Sequence, residues 1–268
     1  MKVGLRPVDA LLPHEETIPE HLRRLKAQLT KEGEQKDPLI VDSERGIVLD
    51  GMHRLAAFRE MGIEYAVCGL VEYSSSSVKL FRWVRSIRAE GSHQLQHALE
   101  ALGKWRSAGI SESFEAVEAG SAPLAILRSG GCLLFDPDGK RASPFELIRS
   151  LDAVASSMGW RETFVAEEDI DVALQEKENA LLLVPALTKQ DVVRAATTGD
   201  LLPHKTTLHV IELRPVAINF PLKELRSKSP PEELLKRKLS SSAGRILPSN
   251  STYGGRRYKE RLMLLSTA

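Results

Sequence analysis

The sequence GIVLDGMHRLAAF, from Gly46 to Phe58, places a short apolar run directly before a helical pattern. Ile47 to Leu49 predicts a buried strand, and apolar residues from Leu55 onward recur on one face of a helix that ends near Gly62. The turn between the two elements carries the polar residues. Backbone N–H groups at the start of a helix, at the positive end of its dipole, favour an anion such as phosphate.

This turn has two interpretations when spacing alone is considered. Asp50 ends the strand, Gly51 permits a tight turn, and His53 and Arg54 enter the first helical turn. Such a corner suits a phosphate group, with a metal ion on Asp50 as a further option. Alternatively, Asp50 simply caps the helix, as at many turns of this kind.

Length, charge and cysteine content limit the class of protein. The 268 residues suffice for one large or two ordinary domains, and 37 basic against 36 acidic residues give no bulk field for nucleic acid or membrane. No apolar run is long enough to span a membrane, and the N-terminal residues lack a secretory pattern, so we expect a cytoplasmic protein with no membrane partner. Cys68 and Cys132 lie in separate strand-like runs, which indicates buried thiols.

Residues 1–75 have the pattern of a compact α/β unit. Thr17 and Glu20 predict a capping box at the start of a helix that Gly33 ends. Apolar runs predict strands near residues 37–42, 46–50 and 65–73. Ser74 to Ser77 follows as a loop or short linker, which places a domain boundary near residue 75.

Residues 76–225 predict a second, smaller α/β domain, followed by a basic C-terminal extension over residues 226–268. A capping box at Thr188 and Asp191 begins a helix that Gly199 ends. Further predicted elements are strands at Val78–Trp83 and Ala180–Val184, helices at His93–Ser107, from Leu147 to near Gly159 and at Asp169–Gln175, and a hairpin over residues 124–135.

The segment LLPHKTTLH, from Leu201 to His209, crowds a lysine, two threonines and a histidine into one loop. These side chains offer several donors to an anion, in the manner of a phosphate clamp. A solvated turn is the alternative for this loop taken alone. Trp83, near the end of its strand, is likewise open to two interpretations, as a core residue or as part of a binding site.

Five groups of residues, in this order, resemble the free L-serine kinase family of the ParB/sulfiredoxin-like superfamily, which includes ADP-dependent and ATP-using enzymes. They are Pro13-His14-Glu15, Leu49 to Arg54, Trp83, Thr188 to Val192, and Lys205 to His209. The match extends from near residue 5 to about residue 225. The Asp-Gly-x-His-Arg turn alone is typical of the superfamily, and its combination with the late Lys-Thr-Thr-x-His loop is more specific.

The resemblance implies an α/β (α+β) fold with a ParB/sulfiredoxin-like N-terminal domain, a second domain that completes the nucleotide site, and an active-site cleft between them. It implies a kinase that transfers a phosphoryl group from ATP or ADP, with Mg²⁺, to the hydroxyl of free L-serine or a similar hydroxy amino acid. The product is O-phosphoserine. Such a reaction depends on positioning and charge neutralisation.

Site roles follow from the same resemblance. Glu15 is the general base and contacts the substrate, with Glu16 as its neighbouring rival, and Asp50 and His53 complete the catalytic set. Asp50 holds the metal ion, and Trp83 is linked to the serine pocket. The residues that bind the nucleotide phosphates are Gly51, Met52, His53, Arg54, Lys205, Thr206, Thr207 and His209.

Two positions depart from the family pattern. Met52 stands where the family usually has histidine, and Leu208 where it usually has arginine. Leucine in place of arginine removes a charge-assisted contact with phosphate that is worth about 1.5 to 3 kcal/mol. The two departures therefore leave three alternatives open: a different nucleotide, a different hydroxylated substrate, or a member that has lost catalysis. Because residue 52 is not cysteine, sulfinic-acid reductase chemistry is not expected.

The alternative function is a non-catalytic ParB-like regulator that binds nucleotide or DNA. Its DNA contact would use the basic stretch from Arg226 to Arg237. The balanced overall charge and the lack of a clear helix-turn-helix pattern disfavour DNA as a partner. We therefore expect small-molecule partners, L-serine and a nucleotide.

Overall fold

The computed structural model describes residues 2–88, 92–136, 143–176, 180–242 and 244–266. The chain divides into two compact units. We call Met1–Leu80, Thr188–His204 and His209–Ala268 the N-terminal unit, and Phe81–Leu187 with Lys205–Leu208 the central unit. These borders follow packing, whereas the boundaries near residues 75 and 225 follow the sequence pattern and stay a prediction about functional domains.

The described residues form eighteen strands and nine α-helices, with short 3₁₀ turns at Val8–Ala10 and Glu167–Asp169. The helices are α1 (Pro19–Glu32), α2 (Met52–Glu60), α3 (Ser92–Leu102), α4 (Ile110–Glu118), α5 (Pro144–Ser157), α6 (Ile170–Ala173), α7 (Lys189–Thr198), α8 (Leu222–Leu225) and α9 (Glu232–Ser241). The strands are β1 (Lys2–Pro7), β2 (Glu34–Gln35), β3 (Leu39–Asp42), β4 (Val48–Asp50), β5 (Tyr65–Val71), β6 (Val78–Arg88), β7 (Lys104–Ala108), β8 (Ala125–Leu127), β9 (Cys132–Asp136), β10 (Arg161–Ala166), β11 (Ala180–Leu183), β12 (Thr207–Ile211), β13 (Leu213–Val216), β14 (Phe220–Pro221), β15 (Ile246–Leu247), β16 (Thr252–Tyr253), β17 (Arg256–Arg257) and β18 (Arg261–Leu264). The mixed α/β class is therefore confirmed.

The N-terminal unit is built on a four-stranded sheet in the order β1-β5-β3-β4. Strand β3 pairs in parallel with β5 and antiparallel with β4, and its four residues are all buried. Leu55 and Phe58 of α2 pack into the same core as Leu29 of α1 and Val41 of β3. The strand, turn and helix predicted over residues 46–58 are thus confirmed. Burial of its apolar face holds α2 against the sheet.

The start of α1 differs from the predicted capping box. The N-cap is Ile18, the helix begins at Pro19, and no side chain caps it. Thr17 lies one residue too early, because only the N-cap side chain can reach the free N–H groups of the first turn. Glu20 instead pairs with Arg24 on the same helix. The helix ends at Gly33 as predicted, with a left-handed φ of 70°.

The central unit contains most of a seven-stranded sheet in the order β10-β6-β11-β8-β9-β7, with β12 also paired to β6. The antiparallel hairpin β8–β9 is confirmed. The predicted helix over residues 93–107 is wrong in its last part, because Gly103, at a φ of 150°, ends it and residues 104–108 form β7. There Trp105 pairs with Phe135 of β9. This cross-strand contact overrides the helical pattern of the local sequence.

Helix α7 of the N-terminal unit has the predicted capping box. The Thr188 hydroxyl accepts from the Asp191 N–H at 3.2 Å, and the Asp191 carboxylate accepts from the Thr188 N–H at 2.9 Å. Gly199 ends the helix with a φ of 76°. Both cysteines are free and buried, as predicted, and burial raises the pKa of the Cys68 thiol to about 12.

The C-terminal residues are part of the N-terminal unit. Strand β18 pairs in parallel with β13, and Leu235 of α9 lies in the same core as α2. DNA binding by Arg226 to Arg237, which overlaps the first part of α9, stays the disfavoured alternative. Among the described residues, no helix is long and apolar enough to cross a membrane.

Candidate active site

The turn after β4 requires glycine. Gly51 has a φ of 111°, and a Cβ atom there would lie 2.5 Å from Leu39 Cδ2 and 3.0 Å from Arg54 Nη2. Gly51 is the N-cap of α2 and has no side chain with which to cap the helix. The interpretation of Asp50 as a helix cap is therefore wrong. A helix start without a side-chain cap, at the end of a buried strand, is the geometry that binds phosphate.

The segment from His14 to Ile18 is fixed on both sides of this turn. His14 Nδ1 donates to the Val48 carbonyl oxygen at 2.7 Å, and the Ile18 N–H donates to His53 Nε2 at 2.9 Å. The Glu16 N–H also donates to the Leu202 carbonyl oxygen at 2.8 Å. Glu15 and Glu16, between these anchors, are therefore held beside the turn.

Glu15 has only 5% of its surface exposed, and His14 is fully buried beside it. Glu15 Oε1 lies 3.9 Å from His14 Nε2. Burial keeps the Glu15 carboxylate away from bulk water, which suits the proton acceptor that the sequence predicts here.

Asp50 contacts three arginines. Its Oδ2 lies 2.7 Å from Arg214 Nη1 and 3.4 Å from Arg256 Nη1, and its Oδ1 lies 3.4 Å from Arg54 Nη2. Arg214 is buried and also pairs with Glu260. Burial opposes the charge of Arg214, but Asp50 and Glu260 outweigh it and raise the pKa of this guanidinium. Arg214 therefore stays charged beside Asp50.

Sequence reasoning missed Arg214 and Arg256. A signal for Arg214 was present, since an arginine inside the apolar run LRPV needs a buried partner. No local signal identifies that partner as Asp50, which lies 164 residues earlier. Arg256 sits in an exposed hairpin and has no such signal.

Arg54 and Met52 are engaged with the protein itself. The Arg54 guanidinium donates to the carbonyl oxygens of Asp37 at 2.6 Å and Pro38 at 3.0 Å, and so holds the start of β3. Met52 is half-buried and packs against the core of the N-terminal unit. The phosphate contacts assigned to these two residues stay predictions.

The central unit brings three of the predicted residues together. Lys205 Nζ lies 5.3 Å from the centre of the Trp83 ring, within the range of a cation–π contact, and the Trp83 N–H donates to the Thr206 carbonyl oxygen at 3.2 Å. Lys205 has a left-handed φ of 55°, which is unusual for a residue with a side chain. Thr206, Thr207 and Leu208 are buried, and Lys205 is exposed.

His209 belongs to the N-terminal unit and is buried. Its ring packs edge-on against His14, with 5.3 Å between ring centres, and its Nε2 lies 2.9 Å from the Tyr73 hydroxyl oxygen. Burial, and then repulsion from His14, holds the pKa of His209 well below its usual value. His209 is therefore neutral at pH 7, and its assigned contact with nucleotide stays a prediction.

Asp50 is the predicted residue that offers oxygen to a metal ion. Mg²⁺ in phosphoryl-transfer sites takes one or two carboxylates and completes its shell with phosphates and water. Asp50 supplies a carboxylate, the ligand type that such an ion takes, although its two oxygens also contact three arginines. The fit to Mg²⁺ rests on this ligand type, and the metal contact of Asp50 stays a prediction.

Comparisons with known proteins agree on one group of enzymes. The chain is 26% identical over 232 residues to the ATP-dependent L-serine kinase of Desulfurococcus mucosus, covering 82% of this chain and 89% of the relative. It is 25% identical over 227 residues to the ADP-dependent L-serine kinase of Thermococcus kodakarensis, covering 81% and 90%. No protein-family model matches the chain.

A solved structure shares the fold. A free serine kinase variant in complex with ADP superimposes with a TM-score of 0.71 and 20% identity, covering 84% of this chain and 94% of the other. This structural likeness supports the fold. The resemblance in sequence is carried by the two L-serine kinases named above. The resemblance of this chain to the free L-serine kinase family is thereby confirmed over about four fifths of its length.

Proposed function

We propose that the protein transfers a phosphoryl group from a nucleotide to the hydroxyl of free L-serine, giving O-phosphoserine. One observation carries this proposal: Glu15 is buried and held beside the glycine turn at Asp50, where a helix begins without a side-chain cap. Relatives that match most of the chain are L-serine kinases that use ATP or ADP. A proton acceptor and a phosphate-binding turn are the two parts that this chemistry needs most.

In the proposed reaction the serine hydroxyl oxygen attacks the terminal phosphorus of the nucleotide. Glu15 accepts the hydroxyl proton, the bond to the leaving nucleotide oxygen breaks, and the nucleotide keeps that electron pair. The backbone at Gly51 and Met52 binds phosphate oxygens. A neutral His53 accepts from Ile18 at Nε2 and so carries its proton on Nδ1, which makes it a donor.

The proposal assigns the remaining contacts as the resemblance implies. Arg54, Lys205, Thr206, Thr207 and His209 belong to the nucleotide phosphates, and Trp83 to the serine side of the site. The cation–π contact of Lys205 with Trp83 supports this placement, since it positions a lysine next to the proposed substrate residue. Mg²⁺, bound at Asp50, would neutralise charge on the phosphoryl group when present.

The finer features of the fold are also proposals. We infer a ParB/sulfiredoxin-like domain in residues 1–75 that carries catalysis, a domain in residues 76–225 that completes the nucleotide site, and action in the cytoplasm. The superfamily assignment is supported by the Asp-Gly-x-His-Arg turn, which lies at the end of β4 and the start of α2.

Phosphorus NMR tests the reaction directly. The protein is incubated with Mg²⁺, with ATP or ADP as donor, and with L-serine, L-threonine or no acceptor. We expect a new phosphomonoester signal that requires L-serine, and the more productive donor identifies the nucleotide. Release of inorganic phosphate alone, at the same rate with and without serine, would contradict the proposal.

A further inference from the structure

The C-terminal hairpin carries an arginine to the Asp50 turn. Strands β16 and β17 pair antiparallel through a two-residue turn in which Gly254 and Gly255 both have left-handed φ values, 58° and 78°. Such a turn matches the twist of a tight hairpin. Arg256 is the first residue after it, and its Nη1 lies 3.4 Å from Asp50 Oδ2.

The hairpin is anchored beneath this arginine. The Arg256 guanidinium lies 4.8 Å from the centre of the Tyr258 ring, and Tyr258 is buried against Val216 and Leu262. Strand β18 continues from there and pairs in parallel with β13, where Leu262 stands opposite Arg214. Arg256 is therefore held near Asp50 by packing and by a sheet, although 44% of its side chain is exposed.

Three arginines contact Asp50. Among the ion pairs of the described residues, Arg54, Arg214 and Arg256 pair with Asp50, and Arg214 also pairs with Glu260. Arg214 already makes the shorter contact with Asp50, at 2.7 Å, so Asp50 does not need Arg256 for neutralisation. Arg256 contacts Asp50 from its partly exposed position, next to the start of α2, where the helix dipole favours an anion.

We propose that Arg256 binds the phosphate chain of the nucleotide and so contributes to the preference for nucleotides over nucleosides. This inference rests on the proposed function and deepens it. A guanidinium that is half-exposed, oriented by an aromatic ring and next to a phosphate-binding turn suits bidentate contact with phosphate oxygens. The C-terminal segment is then part of the nucleotide site.

The experiment measures binding by calorimetry and compares Arg256→Ala, Arg256→Lys and Arg257→Ala. Arg257 is the next residue of the same strand and is exposed, so it is the matched control. We expect Arg256→Ala to weaken ADP binding about tenfold, Arg256→Lys to lose less, and Arg257→Ala to change it less than about twofold. Adenosine, which lacks phosphate, should bind all of these proteins as it binds the unmodified chain.

Three results would overturn the inference. Equal ADP affinity in Arg256→Ala and Arg257→Ala would remove the phosphate contact. A parallel loss of adenosine affinity would mean that Arg256 only supports the fold. A higher KM for serine with unchanged ADP affinity would place the substrate carboxylate at Arg256 instead.

Binding of ADP is measured without serine, so it separates the two proposals. Loss of ADP affinity in Arg256→Ala, in a protein that forms no O-phosphoserine, would sustain the Arg256 contact and refute the kinase reaction. Formation of O-phosphoserine with unchanged ADP affinity in Arg256→Ala would support the kinase reaction and refute the Arg256 contact.

Discussion

The backbone N–H of Ile18 donates a hydrogen bond of 2.9 Å to Nε2 of His53. This bond joins the start of α1, which has no side-chain cap, to the first turn of α2. It also determines the tautomer of His53, because a nitrogen that accepts cannot carry the ring proton. One contact therefore positions the segment that contains Glu15 and prepares His53 to donate.

Replacement of Glu15 tests the proton acceptor. Glu15→Gln should lower kcat about a hundredfold or more, because the amide cannot accept the hydroxyl proton, while the Kd for nucleotide stays nearly constant. Glu16→Gln is the matched control and should keep most of the activity. Rates of O-phosphoserine formation and calorimetric binding give both quantities. A large loss of kcat in Glu16→Gln, with most of the activity kept in Glu15→Gln, would make Glu16 the base.

Two glycines at the ends of α2 test the proposed phosphate contact at the turn before this helix. Gly51→Ala should destabilise the fold by about 2 to 4 kcal/mol, because its Cβ would lie 2.5 Å from Leu39 Cδ2 at a positive φ. Gly62 also has a positive φ but has open space around it, so Gly62→Ala should cost about 1 kcal/mol. Urea unfolding measures both values, and we expect only Gly51→Ala to weaken ADP binding. An equal loss of unfolding free energy in Gly51→Ala and Gly62→Ala would contradict the explanation by a steric clash at Gly51.

Lys205 tests the loop that follows α7. Lys205→Met should weaken nucleotide binding about tenfold to a hundredfold, because a charge-assisted contact with phosphate is lost. Lys205→Arg should retain much of the affinity, since it keeps a cation over the Trp83 ring. Lys223, whose side chain is 81% exposed, supplies the control Lys223→Met. A similar change in Lys205→Met and Lys223→Met would remove Lys205 from the site.

The sequence predicted those features that depend on residues close together in the chain. The turn at Gly51, the capping box of α7 and the hairpin β8–β9 all follow from local rules about glycine, hydroxyl caps and alternating apolar residues. The loop at Lys205 could be identified as a candidate anion site because its hydrogen-bond donors lie close together in the sequence.

The remaining features depend on partners that are far apart in sequence. Helix α1 begins at Pro19, and its N-cap residue Ile18 bonds to His53, 35 residues away. Residues 104–108 became a strand because β9 pairs with them. Arg214 and Arg256 lie beside Asp50 in a region that contains the long-range pairing of β13 with β18, so no local pattern places them there.

Asp50→Asn tests the assignment of the metal ion. If Asp50 holds Mg²⁺, the half-saturating Mg²⁺ concentration for O-phosphoserine formation should rise about tenfold or more. The variant should also lose roughly 1 to 3 kcal/mol of stability, because Arg214 is buried and loses a charged partner. A magnesium titration of rates and a urea titration separate the effects. Lower stability with an unchanged magnesium requirement would leave Asp50 only the role of holding arginines.

His209 should make the fold sensitive to acid. Its pKa is depressed in the folded state, so below about pH 6.5 the unfolded chain binds a proton that the native state excludes, and stability falls as pH falls. The expected slope is at most about 1.4 kcal/mol per pH unit for this group. Urea unfolding at two pH values, with His209→Gln as the comparison, measures it. An equal slope in both proteins would contradict this account.

Serine labelled with ¹⁸O in its hydroxyl group tests the central claim most directly. The account predicts that the label becomes the bridging oxygen of O-phosphoserine, seen as an isotope shift in the phosphorus spectrum, since the serine oxygen attacks and Glu15 only removes its proton. The label should appear with the unmodified protein and be nearly absent with Glu15→Gln over the same time. Consumption of nucleotide with no labelled phosphoserine would contradict the account.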